Sequence, residues 1–285
     1  MIIYPDFYEQ FQCKAGRCRH TCCKGWEIDV DEETAQFYRH IEGRFGERLK
    51  NALAEDEDGW HFVLQENDRC PFLREDGLCS IILELGEDAL CDICALHPRF
   101  YEEIEDMALC GLGASCECVS ELLLSAREQL CFVDESGECY DLDALLKIIG
   151  VSGCRPYRYN RLKQDETKKL IATFWQTEPI DDAWTKELER LKHDAHHYCE
   201  KSRELFGHKH EMLQRIYQYI FYRQMERIPA WEADRISDYA RMCTDFIVFH
   251  AGMTEDLAES LRRFSEQIEY STVNVDVLLE AVDSS

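Results

Sequence analysis

The stretch CKAGRCRHTCCKGW, residues 13–26, places four cysteines within eleven positions. Such a density indicates a disulfide framework, a metal site or a redox centre. The first residues, MIIYPDFYEQFQC, contain no basic segment followed by a long apolar run, so we expect no export signal. The sequence also contains no run of about eighteen apolar residues that could cross a membrane. We therefore expect a cytoplasmic chain whose thiols stay reduced, which argues against disulfides.

The cysteines are unevenly distributed along the chain. Fourteen of the sixteen lie between residues 13 and 154, and only Cys199 and Cys243 follow. Isolated thiols of a protein core have no reason to gather in one part of a chain, so this clustering favours metal binding.

Two further cysteine pairs lie in CPFLREDGLC (70–79) and CDIC (91–94). Thiolates are soft ligands that suit zinc and iron–sulfur clusters alike. No group alone has the paired CxxC spacing of a zinc ribbon, so we expect one or two centres assembled from separated segments. His20 and His97 lie close to these groups in sequence and could complete a Cys₃His zinc site, although a surface histidine in a loop is the more common interpretation of each.

Composition excludes one class of partner. The chain has 285 residues, 45% of them hydrophobic, and a formal net charge of −25. It is therefore globular and a poor match for nucleic acid, whose phosphates require clustered Lys and Arg. An acidic surface would attract a lysine-bearing partner, but a solvated surface is the simpler interpretation.

Glycine and cysteine signatures of known nucleotide-dependent enzymes are missing. The radical S-adenosylmethionine signature CxxxCxxC is absent, because Cys23 directly follows Cys22. LCGLGAS (109–115) lacks the third glycine of a dinucleotide or methyltransferase loop, so we interpret Gly111 and Gly113 as strand or turn glycines.

The hydrophobic periodicity predicts a mainly α protein. It predicts one helix over residues 29–53, two short strands over 98–113 and successive helices from Tyr157 onward. We expect a Cys-rich N-terminal region with short β-strands, residues 1–155, packed on an all-helical C-terminal region, residues 156–285.

Three blocks in this order, FQCKAGRCRHTCCKGWEIDVD, CPFLREDGLCSI and ELGEDALCDICALHPR, resemble the flagellin lysine-N-methylase family. That family lies within a wider group of cysteine-cluster, zinc- or iron-chelating proteins. The resemblance covers residues 5–125, and Cys91 is extra to the pattern. The matching residues are Cys13, Cys18, Cys22, Cys23, Gly25 and Trp26; Cys70, Pro71, Phe72, Leu73, Gly77, Leu78 and Cys79; Cys94, Pro98 and Arg99; and Ser115 and Cys116.

The resemblance implies an enzyme that transfers methyl groups from S-adenosylmethionine to lysines of flagellin, with no membrane or nucleic-acid partner. It implies an iron–sulfur cluster of the 4Fe–4S type, with zinc as the alternative. The first-choice metal ligands are Cys18, Cys22, Cys70 and Cys94, followed by Cys13, Cys23, Cys79 and Cys116.

Methyl transfer to an amine also needs a base. The sequence does not choose among the candidates Tyr101, Glu102, Glu103, Tyr157, Tyr159, Tyr217 and Tyr222. Two other classes of protein stay open: a metal-binding or electron-transfer module without enzymatic activity, and a zinc-stabilised interaction protein.

Overall fold

A computed structural model describes residues 1–126, 129–152, 154, 156–159 and 164–282. Within it, the chain forms two compact units. The Cys-rich unit comprises Gln12–Arg99, and the helical unit comprises Met1–Phe11 together with Phe100–Ser285. These bounds follow from packing, whereas the predicted division at residue 155 follows from cysteine distribution and stays a prediction.

The strands are short. In chain order they are β1 Ile2–Pro5, β2 Asp29–Val30, β3 Leu53–Glu55, β4 Trp60–Phe62, β5 Arg99–Ile104, β6 Met107–Leu112, β7 Phe132–Asp134 and β8 Cys139–Tyr140.

Helices account for 57% of the structure, which confirms the mainly α prediction. In chain order they are α1 Glu32–His40, α2 Gly43–Ala52, α3 Ser80–Leu85, α4 Asp92–Leu96, α5 Glu117–Ser125, α6 Leu142–Ile148, α7 Gln164–Phe174, α8 Asp182–His193, α9 Ala195–Phe206, α10 His210–Arg223, α11 Ile228–Trp231, α12 Ala233–Thr254, α13 Leu257–Phe264 and α14 Thr272–Ala281.

The Cys-rich unit is built on a three-stranded antiparallel sheet with the order β2-β4-β3. Its hydrophobic core contains Tyr38, Phe62 and Phe72, and the rings of Phe62 and Phe72 meet edge to face with centroids 5.0 Å apart. Half-buried and buried cysteines pack against these rings. The core therefore holds the thiols in place without long regular elements.

The single helix predicted over residues 29–53 is wrong, because the chain forms two helices, α1 and α2, separated at Ile41 and Glu42. Gly43 has a φ of +82°, which favours glycine. A Cβ on Gly46 would lie 2.0 Å from the carbonyl oxygen of Ile41. The tight corner between the two helices therefore requires glycine at both positions.

The helical unit contains a five-stranded sheet with the order β5-β6-β1-β7-β8, in which β1 runs parallel to β6 and antiparallel to β7. The two predicted strands over 98–113 are confirmed as β5 and β6. A Cβ on Gly111 would lie 2.2 Å from the ring of Phe100, so Gly111 is a strand glycine, as predicted.

The helices of this unit surround α12, a helix of 22 residues that packs against α9, α10 and α13. Tyr222 on α10 joins the helices to the sheet, because its hydroxyl donates to the carbonyl oxygens of Ile3 and Cys110, at 2.8 and 2.9 Å. No helix in the described part of the chain is both long and apolar enough to cross a membrane.

Cys131 and Cys139 form a disulfide in the structure, contrary to the expectation of reduced thiols throughout. Cys131 directly precedes β7 and Cys139 begins β8, and their Cα atoms lie 6.0 Å apart. That separation falls within the usual disulfide range. The described cysteines elsewhere in the chain are free thiols.

Candidate functional site

The Cys-rich unit brings the cysteine blocks together through backbone contacts. The amide of Cys70 donates to the carbonyl oxygen of Cys23 at 3.0 Å, which links the first block to the second. Leu73 and Cys79 form an isolated antiparallel bridge that closes the second block on itself. Cys91 precedes α4 as its N-cap residue, and Cys94 lies within that helix.

Backbone amides affect the pKa values of three of the thiols. The amides of Phe72 and Leu73, two and three residues after Cys70, act to lower the pKa of that thiol, and the Leu73 amide donates to the Cys70 carbonyl oxygen at 3.1 Å. The amides of Ile81 and Ile82 act in the same direction on Cys79, and the amide of Cys94 does so on Cys91. A lower pKa favours the thiolate, which is the form that binds a metal.

The thiols are close enough to affect one another. The thiol of Cys22 donates to Cys23, and this hydrogen bond lowers the pKa of Cys23 to about 7. The thiol of Cys94 donates to Cys91, which lowers the pKa of Cys91 and raises that of Cys94. In both pairs, the thiol of one cysteine stabilises the negative charge on the sulfur of the other.

Burial opposes ionisation of the Cys70 and Cys79 thiols. It raises the pKa of Cys70 to about 12 and also raises the pKa of Cys79. The charge of Cys23 adds to both shifts and to that of Cys94. The sulfurs of Cys23, Cys70, Cys79, Cys91 and Cys94 therefore form one electrostatically connected group, here called the thiol cluster.

The remaining predicted ligands are placed differently. Cys13 is exposed, and its sulfur accepts from the amide of Ala15 at 3.3 Å. Cys18 is half-buried and directly follows the 3₁₀ turn Ala15–Arg17. Cys116 belongs to the helical unit, where it is the N-cap residue of α5.

Trp26 and His97 connect the first and third blocks. The indole Nε1 of Trp26 donates to the carbonyl oxygen of Cys22 at 2.6 Å, and its ring stacks on His97 with centroids 6.4 Å apart. His97 is not the surface histidine that the sequence favoured: its Nε2 is buried without a hydrogen-bond partner, and burial lowers its pKa to about 4. His20, by contrast, is exposed.

Two polar side chains, Asp31 and Arg69, hydrogen-bond to the segments that carry the thiol cluster. Asp31 caps α1 through Thr34 and also accepts from the amide of Asp92 at 3.0 Å, which joins α1 to the start of α4. The Arg69 guanidinium donates to the carbonyl oxygens of Leu73 and Arg74, at 2.9 and 2.7 Å. These bonds fix the loops that carry the cysteines.

Thiolates are the soft donors that zinc and iron–sulfur centres use, and the five cysteines of the thiol cluster all lie in or against one hydrophobic core. In a tetrahedral zinc site the sulfurs lie about 3.8 Å apart, as follows from a Zn–S bond of about 2.3 Å. Among the residues described, no three cysteine sulfurs lie within 4.8 Å of one another. Within the described part of the chain, the sulfurs of the thiol cluster therefore do not form a preassembled tetrahedral zinc site.

The helical unit contains a tyrosine–carboxylate pair that the sequence did not indicate. The Tyr157 hydroxyl donates to Asp245 Oδ1 at 2.5 Å, and the Tyr157 ring stacks on Tyr217. Burial raises the pKa of Asp245 to about 7. The two residues are 88 positions apart, so only the fold reveals their contact.

Other predicted bases are engaged elsewhere. Glu102 forms an ion pair with Arg223 at 3.0 Å, and the Tyr217 hydroxyl lies 2.8 Å from that of Ser237. Tyr222 is committed to the sheet carbonyls described above. The Asp245 carboxyl, which accepts from Tyr157 and has a pKa near 7, can exchange a proton near neutral pH.

Part of the chain is similar to three curated proteins of Salmonella. The lysine-N-methylases of Salmonella typhimurium and Salmonella choleraesuis are each 27% identical over 138 residues. These matches cover 44% of this chain but only 32% of either relative. The flagellar biosynthetic protein FliU of Salmonella muenchen is 27% identical over 130 residues, which cover 44% of this chain and 77% of FliU.

No protein-family model matches the chain, and no solved structure matches it either. The three relatives agree with the resemblance that the cysteine blocks predicted. The chain is therefore related to the flagellin lysine-N-methylase family.

Proposed function

We propose that this chain is a protein-lysine N-methyltransferase that acts on flagellin and uses S-adenosylmethionine. The observation that carries the proposal is the relationship to proteins named lysine-N-methylase and FliU. The match spans about a third of the named methylases, so activity, substrate and methyl donor are all parts of this proposal.

The thiol cluster would hold the metal centre, which we propose to be an iron–sulfur cluster of the 4Fe–4S type. Cys70 and Cys94 are predicted ligands that lie in it, and Cys91, which is extra to the family pattern, could join or replace one of the predicted ligands. Cys18 and Cys22 complete the first-choice prediction, and Cys13, Cys23, Cys79 and Cys116 the second.

The chemistry requires an uncharged lysine amine. S-adenosylmethionine supplies the methyl group when it is bound. The Asp245 carboxylate accepts the proton of the lysine ammonium, and the Tyr157 hydroxyl holds the carboxylate in position. Because the pKa of Asp245 lies near 7, a large share of this group is ionised at neutral pH and able to act as a base.

The charge of the chain fits a basic substrate segment. A net charge of −25 attracts a lysine-bearing surface and raises its local concentration. This long-range attraction weakens with added salt, because surface charges are screened over about 10 Å at 0.1 M ionic strength.

The test is anaerobic purification followed by three measurements. Iron, acid-labile sulfide and zinc are quantified per chain. Binding of S-adenosylmethionine is measured by calorimetry. Flagellin is incubated with the purified chain and S-adenosylmethionine, and its lysines are then analysed by mass spectrometry. We expect iron and sulfide in equal amounts, saturable binding of the methyl donor, and methylated lysines on flagellin.

Each failure has a separate meaning. A single zinc with no sulfide would overturn the iron–sulfur part and leave the thiol cluster as a zinc site. A cluster without affinity for S-adenosylmethionine would instead identify an electron-transfer or metal-binding module. Methyl-donor binding without methylated flagellin would overturn the substrate.

A further inference from the structure

We infer that the Cys-rich unit carries a second metal site, built from oxygen and nitrogen ligands, in which Glu27, Asp56 and His61 bind a divalent transition-metal ion. The ligand atoms of these three side chains all lie within 4.8 Å of one another. Among the described residues, no other group of three His, Cys, Asp or Glu side chains meets that distance. The site does not depend on the proposed methyl transfer.

The sheet fixes the position of the imidazole. His61 is the central residue of β4, and its neighbour Phe62 is buried in the core of the unit. Because side chains alternate along a strand, His61 lies on the opposite face, away from that core. In the register of the sheet it stands between Asp29 on β2 and Ala54 on β3. Ala54 leaves room for an ion on this face, and Asp29 adds negative charge.

The turn after β3 fixes one carboxylate. Asp56 Oδ1 accepts from the amides of Asp58 and Gly59, at 2.9 and 3.2 Å. Its other oxygen, Oδ2, lies 3.5 Å from His61 Nδ1. One oxygen therefore holds the side chain while the other is presented to the imidazole, so little side-chain entropy is lost when an ion binds.

Glu27 supplies the third ligand and approaches the same imidazole nitrogen as Asp56. Its Oε1 lies 4.0 Å from His61 Nδ1. Both carboxylate distances exceed the 2.7–3.2 Å range of an N–H···O hydrogen bond. Ligands at about 2.1 Å from a tetrahedral ion lie about 3.4 Å from one another. The separations are therefore close to those of a metal site and need only a small movement of the exposed Glu27 side chain.

The surroundings leave the ion accessible. A cleft of about 420 Å³ is lined by Trp26, Glu27 and His61, with Asp68 at its edge. Three protein ligands leave coordination positions open, and the cleft gives water or an oxygen-bearing ligand access to them. A mixed imidazole and carboxylate set favours ions such as Zn²⁺ and Mn²⁺ over Ca²⁺, which prefers oxygen ligands alone.

Mn²⁺ is the probe for the test, because the many thiols of this chain would compete for Zn²⁺ but bind Mn²⁺ weakly. Electron paramagnetic resonance of the purified chain measures free Mn²⁺ during a titration. Asp56→Asn keeps the oxygen that accepts from the turn and removes the charged ligand, and His61→Gln removes the imidazole. Glu57→Gln is the matched control, since it removes one exposed carboxylate from the same turn.

We expect wild type and Glu57→Gln to bind a single Mn²⁺ with affinities that agree within about twofold, while Asp56→Asn and His61→Gln weaken binding by at least about tenfold. Circular dichroism must show that all four proteins keep the same melting temperature. Absence of saturable Mn²⁺ binding to wild type, or unchanged affinity in both ligand variants, would overturn the inference. Iron and sulfide content reports separately on the thiol cluster.

Discussion

Gly16 and Gly77 lie in direct backbone contact: a Cβ placed on Gly77 would be 2.8 Å from the Cα of Gly16. Conversely, a Cβ on Gly16 would lie 2.3 Å from the carbonyl oxygen of Asp76. Gly16 lies in the 3₁₀ turn between Cys13 and Cys18, and Gly77 lies in the turn between Cys70 and Cys79. The contact therefore brings the first cysteine block against the second.

Gly77→Ala should destabilise the chain more than Gly43→Ala. Both glycines have a positive φ, +77° and +82°, so substitution by alanine introduces the same backbone strain of about 1–2 kcal/mol at each position. Only Gly77 has backbone within 3 Å of the added Cβ, whereas Gly43 has nothing within 4 Å. Urea unfolding measures the difference, and metal content per chain should fall only in Gly77→Ala. Equal effects of the two substitutions would show that the contact is unimportant.

Substitution of single cysteines should separate metal ligands from core thiols. Cys94→Ala and Cys18→Ala, both at predicted ligands, should lower the bound metal by about tenfold or more at limiting metal concentration. Cys91→Ala tests whether the cysteine that is extra to the family pattern is also a ligand. Cys110→Ala is the control, because Cys110 is a buried thiol in β6 of the helical unit. Metal analysis after anaerobic purification gives the result, and unchanged content in both Cys18→Ala and Cys94→Ala would refute the predicted ligand set.

The sequence was informative about the Cys-rich unit because its signals are local. Closely spaced cysteines are visible over a few residues, and the segments that carry them, residues 13–26, 70–79 and 91–94, all lie in one compact unit. The same cysteine blocks also indicated the relationship to a methylase family. The break between α1 and α2 could not be predicted from the sequence, because it depends on how closely the Ile41 carbonyl approaches Gly46.

Contacts across long separations were not predictable in the same way. The hydrogen bond of Tyr157 to Asp245 spans 88 positions, so no local pattern indicates it. The bridge of Leu73 to Cys79, by contrast, closes a single turn. Burial is equally non-local. His97 has the sequence context of a surface loop, yet the Trp26 ring covers it. The trio of Glu27, Asp56 and His61 becomes visible only once the register of the sheet is known.

Asp6→Asn should destabilise the helical unit strongly. Arg215 has no exposed side-chain surface, and its guanidinium forms two bonds to the Asp6 carboxylate, at 3.0 and 3.3 Å. Loss of one partner of a buried ion pair typically costs about 3–5 kcal/mol, and the partial exposure of Asp6 should reduce this to about 2–4 kcal/mol. Urea unfolding provides the measurement. Glu47→Gln is the control, because the Glu47–Lys50 pair is exposed and should contribute less than about 1 kcal/mol. A similar small loss in both variants would contradict the prediction.

Asp245→Asn should lower the rate of flagellin methylation by about 10²-fold or more, because loss of a general base typically costs that much. Metal content should not change. In wild type the rate should rise through pH 7 as Asp245 ionises, and this inflection should vanish in the variant. Tyr157→Phe removes the hydroxyl that favours the ionised carboxylate, so it should move the inflection to higher pH. A pH profile that is the same in all three proteins would exclude Asp245 as the base.

Asp245 should also make the stability of the helical unit depend on pH. Burial raises its pKa from 3.8 to about 7 in the folded chain, so the folded state binds the proton more tightly than the unfolded state. The stabilisation from this proton is fully present below pH 3.8 and is lost as the pH rises through 7. The loss amounts to at most about 4 kcal/mol, at about 1.4 kcal/mol per unit of pKa. Asp245→Asn cannot ionise, so its free energy of unfolding relative to wild type should increase between pH 5 and pH 8, as measured by urea unfolding at each pH. A difference between the two proteins that stays constant over this range would mean that the carboxyl titrates near its ordinary value.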